Sequence, residues 1–406
     1  MCSWAKRGGL LAAMLGGCLL TGSVWAQALP PLRIGLIAPL SGDGADHGQS
    51  VLQGAELAVA EINEVGGFNK RKLELVVRDD HSDAYQGRLA ALDLVTQQRV
   101  TATVGFCSND VATRSLNVFE QLKHVLLVPC AQGSALTRST PAQQSFVFRV
   151  APSDHLSAQF LVKEVVDRRK LSRVAILAED SAAGQDAVKA FTTALGQRQL
   201  APVIVARFAP GAASLHPQLD AARAAGADAL ITYAGSNDQV TAIKGRAALR
   251  WYVPYFAPWS LSFSSVLRQL GPRPLEGTMM AQSIIPDTAS ERRASFMARL
   301  SRLTTDRPLG SLMAAAQSYD AVQLLLRGLL QTPNDTSAVA IKRALENLQA
   351  PYPGVVTTYQ QPFSAADHDG LPERAMVMGV WRSGQVLFSE PGDSLAAASS
   401  KRKSPS

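Results

Sequence analysis

Apolar positions along the chain fall into short runs, each followed by a polar loop and a periodic stretch. The first such unit sets the pattern. Ile34 to Ala38 is a short apolar run closed by Pro39, which reads as a strand buried on both faces. A glycine-rich polar loop, Ser41 to Gly48, leads into a helix in which Val51, Ala55, Ala58, Ile62 and Val65 recur on one face. Glu56, Glu61 and Glu64 lie off that face, and Gly66-Gly67 supplies the stop. The loop thus lies at the carboxyl end of a strand and the amino end of a helix. Open α/β sheets bind small ligands at such places.

The unit repeats. Leu73 to Val77, Thr101 to Gly105, Val125 to Val128 and Phe146 to Val150 read as strands, with helices at Tyr85 to Gln97 and after the loop that begins at Phe106. The pattern then restarts at Arg173 to Leu177, with a loop from Ala178 to Gly184 and a helix from Gln185 to Leu195. Strands follow at Pro202 to Arg207, Ala229 to Tyr233 and Tyr255 to Ala257, and helices at 214–225 and 238–249. Residues 291–303, 310–331 and 338–349 read as helices, and the stretch from Val355 to Phe388 as strands with turns at Asp367 to Gly370 and Ser383-Gly384. Such alternation predicts α/β architecture with mostly parallel sheets and right-handed crossovers.

Residues 1–26 read as an export signal, with Lys6 and Arg7 before an apolar core and a small-residue cleavage site at Val24-Trp25-Ala26. The alternative is a lipoprotein box, Leu15-Gly16-Gly17-Cys18, which would anchor the chain through Cys18; we read cleavage after Ala26. The remaining 380 residues suggest two domains. The formal charge of +7 sits largely at the two ends, so it does not argue for a nucleic-acid partner. The tail, 395–406, is small, polar and basic, and is expected to be disordered.

Catalytic signatures are missing: there is no GxxxxGK[ST], GxSxG, HExxH or CxxC. The six histidines lack metal-ligand spacing, and no cofactor or metal is implied. Asp367-His368-Asp369-Gly370 reads as a tight turn rather than a metal site, and Asp79-Asp80-His81 as acidic groups that cap a helix or bind backbone amides rather than a general base.

Taken in order, IGLIAPLSG, QGAELAVAEINEVGG, KLELVVRDD, VGFCSND, VLLVPCAQGSALT, RVAILAEDSAAGQDAVKAF, ADALITYAGSNDQV, the helix around Gln317 to Ala321 and the terminal VMGVWRSGQV resemble one family. They are similar to the periplasmic binding proteins for leucine, isoleucine and valine that serve ABC transporters. The resemblance implies two doubly wound parallel-sheet lobes joined by a three-strand hinge, closing on a ligand. Lobe 1 would comprise 32–151 with 284–356 and lobe 2 152–283 with 357–394. The implied protein is a periplasmic, monomeric substrate-binding component, not an enzyme, whose partners are a small-molecule ligand and a membrane permease. A ligand sensor on the same fold is the second reading. A hydrolase or transferase is the third, disfavoured by the missing nucleophile and phosphate loops.

The resemblance also implies a pocket. His47 stands where the amino-acid binders place a tyrosine, or is a solvated loop residue. Asn109 stands where they place a carboxylate-holding serine, with Ser108 the alternative in register, or it caps the following helix. Cys130 and Gln132 stand for the alanine and threonine of that carboxylate site, although Gln132 could simply bond its own loop. Ala183 replaces a tyrosine and leaves space, and Ser236 replaces another aromatic. Trp259 replaces the acidic partner of the ligand ammonium, or is a core or lobe-interface tryptophan. The cleft would therefore keep an anion or carbonyl site and lose the ammonium site, favouring a carboxylate, amide or aromatic acid unless Asp180 or Asp238 reaches in. If the strands before Cys107 and Cys130 are parallel neighbours, as the resemblance implies, the two cysteines are close enough for a disulfide. The alternative is a pair of free thiols lining the pocket.

Overall fold

The computed structural model describes residues 29–286 and 290–390. The export signal and basic tail anticipated above lie outside them, as do the last residues assigned to lobe 2.

The chain opens β1 (Leu32–Ala38), α1 (Ala45–Glu64), β2 (Leu73–Asp79), α2 (Ala84–Leu92), β3 (Ala102–Gly105), α3 (Asn109–Gln121), β4 (Leu126–Val128) and β5 (Val147–Arg149). These five strands form one parallel sheet in the order β2-β1-β3-β4-β5. A helix, α4 (Asp154–Val162), leads into β6 (Val174–Glu179), α5 (Ala182–Gly196), β7 (Ile204–Phe208), α6 (His216–Ala224), β8 (Ala229–Tyr233), α7 (Ser236–Ala248) and β9 (Tyr255–Ala257). Then come α8 (Ser264–Leu270), α9 (Pro272–Leu275) and β10 (Met279–Gln282). Three helices follow, α10 (Glu291–Leu303), α11 (Leu312–Gln331) and α12 (Ala338–Glu346), and a short hairpin of β11 (Tyr352–Pro353) and β12 (Thr358–Tyr359). The last strands are β13 (Val377–Arg382) and β14 (Gln385–Phe388).

The second sheet has the order β14-β13-β10-β9-β8-β6-β7. It is parallel from β10 to β7 and antiparallel at β13 and β14, so its outer edge departs from a purely parallel sheet. Ser383 and Gly384, both at positive φ, make the turn of that terminal hairpin.

Helix α1 starts at Ala45, earlier than the polar loop suggested, which puts His47 in its first turn. Val51, Ala55, Ala58 and Ile62 are buried as the periodicity requires. Val65 is 85 % exposed, because the helix ends at Glu64 and Val65 is already its cap. α1 packs on α11 at close range: a Cβ at Gly54 would lie 2.0 Å from the Ala315 carbonyl oxygen, so only glycine fits. Thus α11 belongs with the first sheet, whereas β10 before it and β13 after it belong to the second. The chain passes between the sheets more than once.

Arg149 fixes one of those passages. Its backbone N–H donates to His368 and its carbonyl accepts from Gly370. Its fully buried guanidinium donates to Asp369 at 2.6 and 2.9 Å. The Asp367 to Gly370 stretch is therefore more than a turn: His368 is buried against Phe148, and Asp369 is an ion-pair partner. Asp320, buried on α11, accepts the N–H groups of Val355 and Val356 at 2.8 Å each and anchors another passage. Among the described residues no cluster has a metal-binding arrangement, and no helix is long and apolar enough to cross a membrane.

Candidate functional site

A cavity of ≈ 580 Å³ opens between the two sheets. The carboxyl ends of β3, β4, β6, β8 and β9 and the starts of α1, α3, α4, α5 and α7 surround it, as the strand–loop–helix pattern suggested. All eight positions singled out for the pocket line it: His47, Ser108, Asn109, Cys130 and Gln132 from the first-sheet side, and Ala183, Ser236 and Trp259 from the second. Cys107 and Cys130 are joined as a disulfide on its floor, with Cα atoms 4.6 Å apart.

The aromatic wall joins the two sides. His47 stacks on Trp259 with ring centroids 5.7 Å apart and meets Phe263 edge-on at 4.0 Å. Trp259 also packs edge-on against Phe263 at 5.1 Å, so it serves the interface and the cavity together. Burial lowers the His47 pKa to about 4, Asp46 opposing, which leaves the ring neutral at physiological pH. At the same lip Asp46 accepts from the Ser265 N–H and pairs with Arg268 at 3.2 Å.

On the opposite side Ser108, not Asn109, caps α3 by accepting from Val111. Asn109 is thereby free to hold the neighbouring loop, and its Oδ1 accepts the N–H groups of Gln132 and Gly133, each at 2.8 Å. The carbonyls of the same two residues accept from Arg149. This loop is thus gripped by its amides on one side and its carbonyls on the other. The Gln132 side chain, 5 % exposed, does not bond its own loop: its Nε2 is buried with no hydrogen-bond partner.

The cleft does not lack acidic groups, which corrects the expectation drawn from Trp259. Asp154, Glu179 and Asp186 line it, with Asp110 at its edge. The Tyr233 hydroxyl donates to Asp154 at 3.1 Å and the Asn109 side-chain nitrogen does so at 3.4 Å. Glu179 accepts from Ser181 at 2.9 Å and from the Gly235 N–H. Neither residue considered as a rescue takes part: Asp180 faces Arg207 at 3.8 Å, and Asp238 accepts from the Gly211 N–H. Sequence reading misses Asp154 because the apolar spacing that would mark helix α4 is weak. The Ser153-Asp154 pair is the available signal, since Ser153 caps that helix.

Desolvation raises the Asp154 pKa to about 6; Arg149, Tyr233 and Asn109 oppose the shift and Asp186 adds to it. Glu179 is raised as well, again mainly by desolvation. The sign follows from linkage. An unfolded aspartate releases its proton near pH ~3.9, so the folded protein loses stability as pH rises from there through about 6. The Asp154→Asn variant has no such proton. Its urea midpoint relative to the wild type is expected to climb between pH 4 and 7 and then level off. A pH-independent difference would show that Asp154 is not the strained acid.

A second cavity of ≈ 540 Å³ lies along the passages between the sheets. Two of its carboxylates are already paired with residues outside its lining, Asp369 with Arg149 and Glu373 with Lys163.

A family model described as periplasmic binding protein matches residues 31–385. A Leu/Ile/Val-binding protein homolog from Brucella melitensis is 28% identical over 203 residues, 50% of this chain and 54% of that protein. The Leu/Ile/Val-binding protein BraC3 of Rhizobium johnstonii is 31% identical over 180 residues, 44% of this chain and 48% of that protein. The chain spans about half the length of the curated relatives it matches. Among solved structures, a type 1 periplasmic binding protein from Bordetella pertussis gives a TM-score of 0.79 at 21% identity, covering 88% of this chain and 99% of that one. A solute-binding protein from R. palustris in complex with benzoate gives 0.76 at 19%, covering 88% and 95%. A leucine-binding protein from Thermotoga maritima gives 0.76 at 18%, covering 89% and 99%. At these identities the structures show the fold.

Proposed function

Because the chain belongs to the periplasmic binding protein family, we propose that it is the substrate-binding component of an ABC-type importer. In this reading it captures a small organic solute in the periplasm and delivers it to a membrane permease. It acts as a monomer, and it binds rather than catalyses. The observation that carries the reading is the cavity itself, which takes His47, Asn109 and Gln132 from one sheet's side and Ser236 and Trp259 from the other's. A solute held there touches both sides, so it favours the closed arrangement through contacts that an open one lacks.

The lobes of this reading are 32–151 with 284–356 and 152–283 with 357–394. The membership of the two large sheets and the packing of α11 on α1 support the division, while the β11–β12 hairpin straddles its last boundary. The Arg149 to Pro152 stretch is then one hinge strand, where a few residues absorb the rotation.

A thermal-shift screen over amino acids, amides, amines and aromatic acids is expected to yield a stabilising ligand. Solution scattering with and without that ligand is then expected to show a smaller radius of gyration for the bound protein. An unchanged radius would count against a hinged trap.

A further inference from the structure

We propose that the solute is an organic cation: a basic nitrogen set between Asp154 and Glu179, a neutral hydrogen-bond acceptor facing the Gln132 side-chain amide, and a flat or apolar body against Trp259. The inference rests on the reading of this cleft as the capture site and names the ligand class for it.

Charge is the first argument. Four carboxylates line the cavity, and among the described residues lining it there is no lysine or arginine, in a chain whose formal charge is +7. Because most of that excess sits at the two ends, the body of the chain is close to balanced, and composition does not dictate a lining of one sign. Asp110 is answered by Arg114 at 3.2 Å. Asp154 and Glu179 accept hydrogen bonds but take part in no ion pair among the described residues. The nearby Arg149 is committed to Asp369, Thr137 and the Gln132 and Gly133 carbonyls. A part-buried carboxylate without a cation carries a desolvation cost that an incoming ammonium offsets.

The second argument is that the anion end is already filled. The two amides that would meet a ligand carboxylate donate instead to Asn109 Oδ1. The Ser108 and Ser181 hydroxyl oxygens accept from the first turns of their own helices. The protein thus supplies its own acceptors at those helix starts.

The third argument is independent of charge. Gln132 lines the cavity and its Nε2 is a buried donor without a partner, which an acceptor on the ligand would satisfy after a turn of the side chain toward the cavity. A carbonyl, hydroxyl or ether on the ligand does this without bringing negative charge beside Asp154. Trp259, finally, lines the cavity, where its indole can add stabilisation to a bound cation or flat group.

The test uses calorimetry and thermal shift at pH 7.5 with skeleton-matched probes. Tyramine, leucinamide and cadaverine are set against 4-hydroxyphenylacetate, 4-methylpentanoate and glutarate. Amines are expected to bind and their acid counterparts to fail. Asp154→Asn and Glu179→Gln, each checked for native unfolding behaviour without ligand, should weaken amine binding by roughly thirtyfold or more. Binding of the acids alone, unaffected by either substitution, would overturn the cation assignment and leave the capture reading standing. Silence from both halves of the panel would remove the capture reading itself.

Discussion

Replacing Arg149 by alanine is expected to cost about 3–5 kcal/mol of folding stability, among the largest losses available to a single substitution in this chain. The side chain is fully buried and its donors are all engaged. Nε and Nη2 reach Asp369 Oδ1 at 2.9 and 2.6 Å, and Nη2 also reaches Thr137 Oγ1 at 3.2 Å. Nη1 donates to the carbonyls of Gln132 at 3.0 Å and Gly133 at 2.6 Å. Truncation would leave Asp369 without its main cation, since Arg138 stands 3.9 Å away and is mostly exposed. Two loop carbonyls would each lose one donor at the same time, keeping only the N–H groups of Asp154 and Leu136. Urea unfolding measures the loss directly. Pairing Arg149→Met with Asp369→Asn removes both charges, and the double variant should recover part of the stability. A single variant within about 1 kcal/mol of the wild type would mean that the pair contributes no more than a surface one.

That cluster marks where local pattern stops being informative. Helix α1 could be read because burial repeats at helical spacing through Val51, Ala55, Ala58 and Ile62. The same rule overran at Val65, since the cap geometry at Glu64 and Val65 ends the helix before the apolar residue is reached. Short strands such as β1, β3 and β8 stood out as apolar runs between turn residues. Strand β10, Met279–Gln282, did not, because it holds no β-branched residue and gains its place from β9 and β13. Arg149 and Asp369 are 220 positions apart, and nothing local to either residue predicts their pairing.

The cleft shows the same division. The loops that line it follow from strand ends and helix starts, which local pattern does reveal, while the individual lining residues come from the family resemblance. Its electrostatics do not, because they depend on which side chain turns toward which loop. Asn109 lies at the start of α3, yet its oxygen serves the loop after β4. Asp154 is hidden in a stretch that looks like a hinge alone, and Trp259 draws attention to an acid that is missing while others stand nearby. Position-by-position comparison with amino-acid binders would have assigned an anion site here. The amides in question donate to Asn109 Oδ1, which is the observation our proposal of a cationic solute sets against that expectation.

The floor of the cleft carries the other large expected effect. Strands β3 and β4 are parallel neighbours, with Thr103 beside Leu126 and Val104 beside Leu127. Cys107 and Cys130 follow their ends, and the bridge between them closes a loop with a sequence separation of 23. That loop contains all of α3 and the turn that enters β4. Cross-linking a loop of this length restricts the unfolded chain by about 3 kcal/mol in the chain-entropy account. Reduction is therefore expected to lower the unfolding free energy by about that amount. The Cys107→Ser, Cys130→Ala double variant should unfold at the urea concentration of the reduced protein and be indifferent to reductant. The indifference separates the bridge from any general effect of the reducing agent. Labelling the denatured, unreduced mature protein should find no reactive thiol at either position. Two reactive thiols, or a wild-type midpoint that reductant leaves in place, would sink the bridge.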